Sequence, residues 1–315
     1  MLNHFIFSLN AVMPLFLIIA LGYTLKKTEF ISGGFLAGGN KYVFYIALPV
    51  ALFRNVYSSD VSDLLDLPFI AFVMGASLLG FLAIWAISAI FIKDKTILGA
   101  FVQGSFRGNF AFLGMPLLFN LAGDAGMARA ALIITFVIPM YNICSILVLA
   151  ANSDSGKKVG PLTVVFTVVK NPFIIGIVIG IIMVLLGVRL PAMVDRTVFY
   201  ISNTATPMAL ICLGAGIVFQ GFDKKLKYAV IASVIKVVIL PIIFIAAGYA
   251  LGFRDTDLAA IMVLGGIPAA IAGYAMVVQM GGDGYIAGML VVVSTLMSAF
   301  TLTLLVYFMR VMGLV

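Results

Sequence analysis

The chain has 315 residues, of which 63% are hydrophobic and 10% charged, and its mean hydropathy is +1.22. Soluble domains carry roughly 25% charged residues, so this composition excludes an ordinary soluble domain, a disordered chain, a coiled coil and a small disulfide scaffold. The net charge of +7 comes from 19 Lys and Arg dispersed between apolar runs, where they set topology and do not read nucleic acid.

The apolar runs are much longer than the roughly 9–11 residues of a barrel strand, so the expected class is an all-α polytopic membrane protein. In chain order the predicted spans are Phe5 to Leu25, Tyr42 to Phe53, Leu67 to Ile92, Thr96 to Leu121 and Ala130 to Asn152. After a polar linker, Ser153 to Gly160, come Asn171 to Val188, Thr197 to Phe222, Tyr228 to Phe253, Leu258 to Gly282 and Gly284 to Met309. The second span is short, so Lys41 and Arg54 are expected to snorkel from its ends. No basic residue precedes the first run and no small-residue cleavage site follows it, so it is read as a retained span. With both termini outside, ten Lys fall on the inner side and six Arg on the outer, which sets the expected orientation. Cys144 and Cys212 lie in apolar spans and His4 stands alone, so neither a disulfide nor a metal cluster is expected.

The two halves repeat. "ALPVAL" (Ala47 to Leu52) matches "ATPMAL" (Ala205 to Leu210) at an offset of 158, and Gly123-Asp124 matches Gly282-Asp283 at 159. At the latter offset Gly114 falls on Gly273, Asn109 on Pro268 and Thr135 on Ser294. Five spans per copy force opposite orientations, hence a 5+5 inverted repeat: 1–152, a cytoplasmic linker 153–160, and 161–315.

The fourth and ninth spans are counterparts, and both carry helix breakers mid-membrane: Gly108, Gly114 and Pro116 in one, Gly266, Pro268 and Gly273 in the other. Proline removes a backbone donor. Unwound backbone at this depth must line a cavity or be buried in protein, and two crossing broken helices are a way to build a transport site. Amides freed at the half-helix N-termini suit a carboxylate. Arg107 lies 11 residues into its span, and an intramembrane charge is a functional-site hypothesis by default. Its guanidinium can bind a carboxylate or cap freed carbonyls. Lys236 is read as structural, snorkelling toward Lys224, Lys225 and Lys227. No acid falls inside a predicted span, which argues for an anionic substrate and requires neutral ligands for any coupling cation. Thr135, Asn142, Ser294 and Ser298 are the candidates for that, and each could equally bond between helices.

"YIALPVALF" (Tyr45 to Phe53), "RGNFAFLGMPL" (Arg107 to Leu117), "GIPAAIAGYAMVVQMGGD" (Gly266 to Asp283) and "STLMS" (Ser294 to Ser298) together resemble the auxin efflux carrier family along the whole chain. The resemblance implies a fold related to bile-acid symporters and NhaA-type transporters. Spans 1, 2, 6 and 7 would form a scaffold, and spans 3–5 and 8–10 a mobile transport domain with elevator-type alternating access. It also implies a bacterial inner-membrane protein that carries small organic acids, malonate or malate in bacteria and indole-3-acetate in plants, with a homodimer built through the scaffold. The family's crossover positions fall on Asn109 with Phe110 and on Pro268 with Gly266 and Ile267. Only Ser153 to Gly160 stands where many plant members have a long cytoplasmic loop.

The expected function is therefore secondary transport of a small carboxylate, with Arg107 and Asn109 on the anion and Tyr45, Asn203 and Tyr274 in the walls. No cofactor is expected beyond Na⁺ or H⁺ as a coupling ion. A sodium/proton antiporter of similar architecture is the rival, and the lack of acids within the spans counts against it. A membrane enzyme would need a polar catalytic cluster, and none is visible.

Overall fold

The structure, a computed structural model, describes residues 2–57, 66–152, 172–217 and 224–315. The linker 153–160, Lys170 and Asn171 lie outside the described residues. Every described element is a helix.

The first half begins with α1 (Leu2–Lys27) and α2 (Gly33–Tyr42), which Ser32 caps by accepting from the Phe35 amide. α2 runs through a wide turn, Val43–Ala47, into α3 (Leu48–Tyr57). α4 (Leu67–Phe91) is capped by Asp66, and α5 (Lys95–Phe106) by Asp94. After a break the chain re-forms helix through a second wide turn, Phe110–Gly114, and continues as α6 (Met115–Ala151). α6 is two rods joined at Gly123, whose φ of 55° and ψ of −137° are open to glycine and costly for other residues.

The second half contains α7 (Pro172–Leu185), α8 (Ala192–Asn203), α9 (Ala205–Ala215) and α10 (Leu226–Val234). A third wide turn, Ile235–Ile239, leads into α11 (Leu240–Ala250). α12 (Asp255–Gly266), α13 (Ile271–Gln279) and α14 (Gly284–Val311) complete the chain. Asp283 caps α14, as its place at a span end suggests.

The three wide turns share one cause. Each stops just short of a proline, Pro49, Pro116 or Pro241. A proline offers no amide to the carbonyl four residues back, so the helix loosens there. The Leu48, Met115 and Leu240 amides reach five residues back, to Val43, Phe110 and Ile235.

Among the described residues, seven helices are long and apolar enough to cross a membrane, and Ile175–Leu185 is a shorter apolar helix. Large apolar side chains face outward along them, among them Leu79, Phe91, Phe300 and Leu304. In a soluble protein such a surface would be a liability. Here it is the lipid-facing wall of a multi-pass membrane protein.

α1 packs on α9, and α3 on α7. These crossings are close because glycines stand in them. A Cβ on Gly214 would sit 1.9 Å from the Ile19 carbonyl oxygen, and one on Gly176 2.4 Å from that of Pro49. α4, α5 and α6 pack together, α11 packs on α12, and α10 packs on α14. The two groups interleave, α6 against α12 and α5 against α14. Polar side chains stitch the helix ends. Arg129 on α6 pairs with Asp66 at the start of α4 and with Asp257 at the start of α12. Lys225 pairs with Asp283 at 2.6 Å, and the Asp283 amide donates to the Thr96 carbonyl on α5.

Three expectations need correction. The second span begins at Gly33, so Lys41, in the last turn of α2, lies within the span Gly33–Arg54 and not at its end. The rod after Gly123 begins before Ala130, so Arg129 is inside it and is held by two carboxylates. Lys236 does not snorkel. It is fully buried, 0% exposed.

Candidate functional site

α5 ends at Phe106 and α12 at Gly266, and neither continues directly into the helix that follows. The two breaks lie against each other. Gly108 and Ala269 stand side by side in antiparallel fashion, and the Asn109 amide donates to the Pro268 carbonyl at 2.8 Å. This approach depends on glycine, since a Cβ on Gly108 would sit 2.6 Å from Ile267 Cγ1. Ile267 is fully buried, and Gly266 is buried beneath Pro241 and Leu302. The Ala269 amide donates to Ser294 Oγ at 3.0 Å, so α14 braces the second break.

From this crossing two helices restart, one at Phe110 and one at Ile271. Their leading amides carry the partial positive charge of helix N-termini. Gly114 closes the wide turn of the first and Pro116 opens α6, while Gly273 lies in the first turn of α13. The ends of α5 and α12 bring carbonyls, and hence partial negative charge, to the same place.

Two cations are buried here, and they differ. Lys236 Nζ donates to the carbonyls of Gly265 at 2.8 Å and Leu264 at 3.2 Å, so it caps the broken end of α12. Arg107, 9% exposed, reaches Met276 Sδ at 2.8 Å and Ser145 Oγ at 3.5 Å through Nη1. The ion pairs among the described residues involve Arg129 and Lys225, not Arg107. The guanidinium thus sits beside neutral acceptors, with no carboxylate paired to it among the described residues, next to a helix start that also favours an anion. Asn109, the residue just before that helix start, is buried, 7% exposed.

A cavity of about 460 Å³ approaches the crossing from one side. Ala111, in the first turn after the break, and Pro116 form one wall, with Asn120 and Asp124 beyond them. Arg54 and Asn203 come from the opposite wall, on α3 and α8. Asn203 therefore lines this space. Tyr45 does not; it is 60% exposed and packs edge-on against Phe44. Tyr274, on α13, is also exposed and outside this cavity.

The hydroxyls considered for a cation donate to their own helices: Thr135 to Ala131, Ser294 to Val291 and Ser298 to Thr295. Asn142 is half-buried on α6. Among the described residues no cluster of three His, Cys, Asp or Glu could hold a metal. Sequence reasoning passed over Ser145, Met276 and the cavity side chains Arg54 and Asn120. It also misjudged Lys236, although a lysine inside an apolar run with no acid nearby was a signal worth following.

The family described as membrane transport protein matches residues 7–306. A protein of Rhizobium meliloti named "Putative malonate transporter" is 25% identical over 95% of this chain and 95% of its own. An "Uncharacterized transporter" of Methanothermobacter thermautotrophicus is 25% identical over 95% of this chain and 98% of its own. The transporter YfdV of Escherichia coli is 24% identical over 85% and 86%.

Proposed function

The chain belongs to the membrane transport family that includes the auxin efflux carriers, and on that footing we propose that it carries small carboxylate anions through the bacterial inner membrane. One observation carries the reading: two interrupted helices touch at Asn109 and Pro268, beside a buried Arg107 that has no acidic partner among the described residues. Each break frees amides that favour negative charge. An unpaired intramembrane arginine is costly unless something compensates it, and a planar carboxylate matches its fork. Lys236 caps α12, and the Arg107 side-chain hydrogen bonds go to Ser145 and Met276 and not to a freed carbonyl, which favours binding over capping for Arg107.

In this reading Arg107 and Asn109 hold the anion, helped by amides near Phe110 and around Pro268. The cavity, within the usual range of ligand sites, is its route, with Asn203 and Arg54 on the facing wall. The relative named for malonate supports a short dicarboxylate as the cargo.

The architecture we propose is ten spans in a 5+5 inverted repeat with both termini outside. The packing supports it, because its contacts come in exchanged pairs. α1 on α9 has its counterpart in α7 on α3, and α5 on α14 has its counterpart in α12 on α6. The body α4–α6 with α10–α14, stitched at both ends by ion pairs, moves as the transport domain against α1–α3 and α7–α9. Elevator-type displacement would then carry the crossing from one side to the other, and two copies would join through the scaffold.

The test is uptake of labelled malonate, malate and indole-3-acetate into proteoliposomes under separately imposed sodium and pH gradients. Saturable uptake of at least one acid supports the reading. Cation flux with no acid transported would replace it with the antiporter.

A further inference from the structure

Lys236 sits where a soluble cation would be expected to bind. The break after Gly266 leaves the last carbonyls of α12 without the amides that a continuous helix would send them. In transporters with broken helices, such half-helix ends and unwound carbonyls are where coupling ions are held. Here the Lys236 ammonium takes the Leu264 and Gly265 carbonyls. It is fully buried, and the ion pairs among the described residues do not include it.

A lysine two turns from a membrane end can ordinarily stretch back to water. This one turns inward, and the partial negative charge of a helix C-terminus offsets its desolvation. The wide turn Ile235–Ile239, loosened by Pro241, sets its direction. At the 159-residue offset of the repeat, Lys236 falls on Ser77. Ser77 is neutral, and its hydroxyl lies 3.4 Å from that of Tyr141. The half of the molecule that contains α12 thus carries a fixed charge that the other half lacks at the equivalent place.

We infer that the Lys236 ammonium is a covalently tethered cation filling the carbonyl-lined site at the end of α12, in place of a dissociable coupling ion. It acts as a positioning residue. Its stem runs under the crossing, and Cε would lie 3.2 Å from a Cβ on Gly108. Ile267 packs on the same glycine. The ammonium therefore holds the ends of both breaks in register for the anion. Transport needs no sodium, and removing the side chain vacates a site that a small free cation can enter.

The transport arms of the test rest on the carboxylate reading, whereas the stability arm does not. Wild-type counterflow of malonate should be unchanged when sodium is replaced by N-methylglucamine. Lys236→Ala should lower the rate by about tenfold or more and lower the melting temperature of the detergent-purified protein. Millimolar methylammonium or ammonium should then raise the melting temperature of Lys236→Ala, leave wild type unmoved, and restore part of the rate. A merely structural lysine would give no such rescue. Three results would each overturn the inference: sodium-dependent wild-type transport, a Lys236→Ala protein that transports at the wild-type rate, or a folded Lys236→Ala protein whose melting no small cation shifts. Should Lys236→Ala not fold, sodium dependence of the wild type decides. Should the wild type carry no carboxylate, that failure belongs to the transport reading, and the melting experiment decides this one.

Discussion

Gly108→Ala tests the contact between the two breaks. The added methyl would lie 2.6 Å from Ile267 Cγ1, 2.8 Å from Cδ1 and 3.2 Å from Lys236 Cε. Optimal carbon contacts are about 3.5–4.0 Å, so Ile267 must yield by roughly 1 Å. It is fully buried and has little room to do so. Overpacking of this kind costs about 1–3 kcal/mol. The variant should melt several degrees lower in detergent and lose most of its malonate uptake, because the Asn109 to Pro268 hydrogen bond lies next to the displaced atoms. Ile267→Ala has its own cost, about 2–5 kcal/mol for a buried Ile, but it removes both obstructing carbons. The double variant should therefore be more stable than the sum of the single effects, by about 1 kcal/mol or more. The assay is a double-mutant cycle of melting temperatures, with uptake measured in parallel. Strict additivity would mean that the breaks do not press on each other, and the crossing geometry would be refuted.

Cysteines placed at Ala111, Asn120 and Asn203 should react with a membrane-impermeant thiol reagent through the cavity, and malonate should slow the reaction at Ala111. The native Cys144 and Cys212 are buried and should give little background; equal labelling of Ala111→Cys with and without malonate would separate the cavity from the substrate route. Arg129→Met strips the partner from Asp66 and Asp257 and the cation from the Phe69 ring. These groups are mostly buried, so it should cost about 1–3 kcal/mol, read as a lower melting temperature, and an unchanged one would deny the stitch any role. The Thr96 hydroxyl, bonded to Asp94 at 2.7 Å, holds that exposed carboxyl below its ordinary value, with the Ile97 amide adding to the effect. A depressed acid stabilises the fold above its unfolded value and loses that contribution as pH falls through the folded one. Thr96→Val should thus flatten the loss of melting temperature below about pH 4, whereas identical acid slopes in both proteins would contradict the assignment.

Much of the fold could be read from the sequence because an apolar run in lipid has one cheap solution, a helix with its backbone bonds satisfied internally. Breakers within such a run also have a local meaning, which is why the interruptions near Gly108 and Pro268 could be placed from residue type. The start of α2 at Gly33 was harder to see, since Gly34, Gly38, Gly39 and Asn40 argue against a helix by propensity; in the fold Gly39 is buried, and its Cβ would lie 2.8 Å from Cys212 Sγ. The seam at Gly123 falls between the predicted fourth and fifth spans, but its narrowness was not legible, because helix continues on both sides of one unusual residue.

What lay out of reach were contacts between distant segments. Depth along a span cannot say which way a long side chain turns, and Lys236 turns to the α12 carbonyls. Nothing local to Arg107 names Ser145 or Met276, 38 and 169 residues away. Tyr45 opens the segment Tyr45 to Phe53 that carries the family resemblance, yet it is on the outward side of its wide turn, while Leu48 and Ala51 of the same segment meet the cavity.

The central claim is that a carboxylate is gripped where the two broken helices meet. Its most direct test is malonate counterflow in proteoliposomes holding wild type, Arg107→Ala or Asn109→Ala, each first checked for a wild-type elution profile. Saturable exchange by wild type and exchange near the empty-liposome level in both variants is the expected result; exchange at the wild-type rate in both folded variants would contradict it.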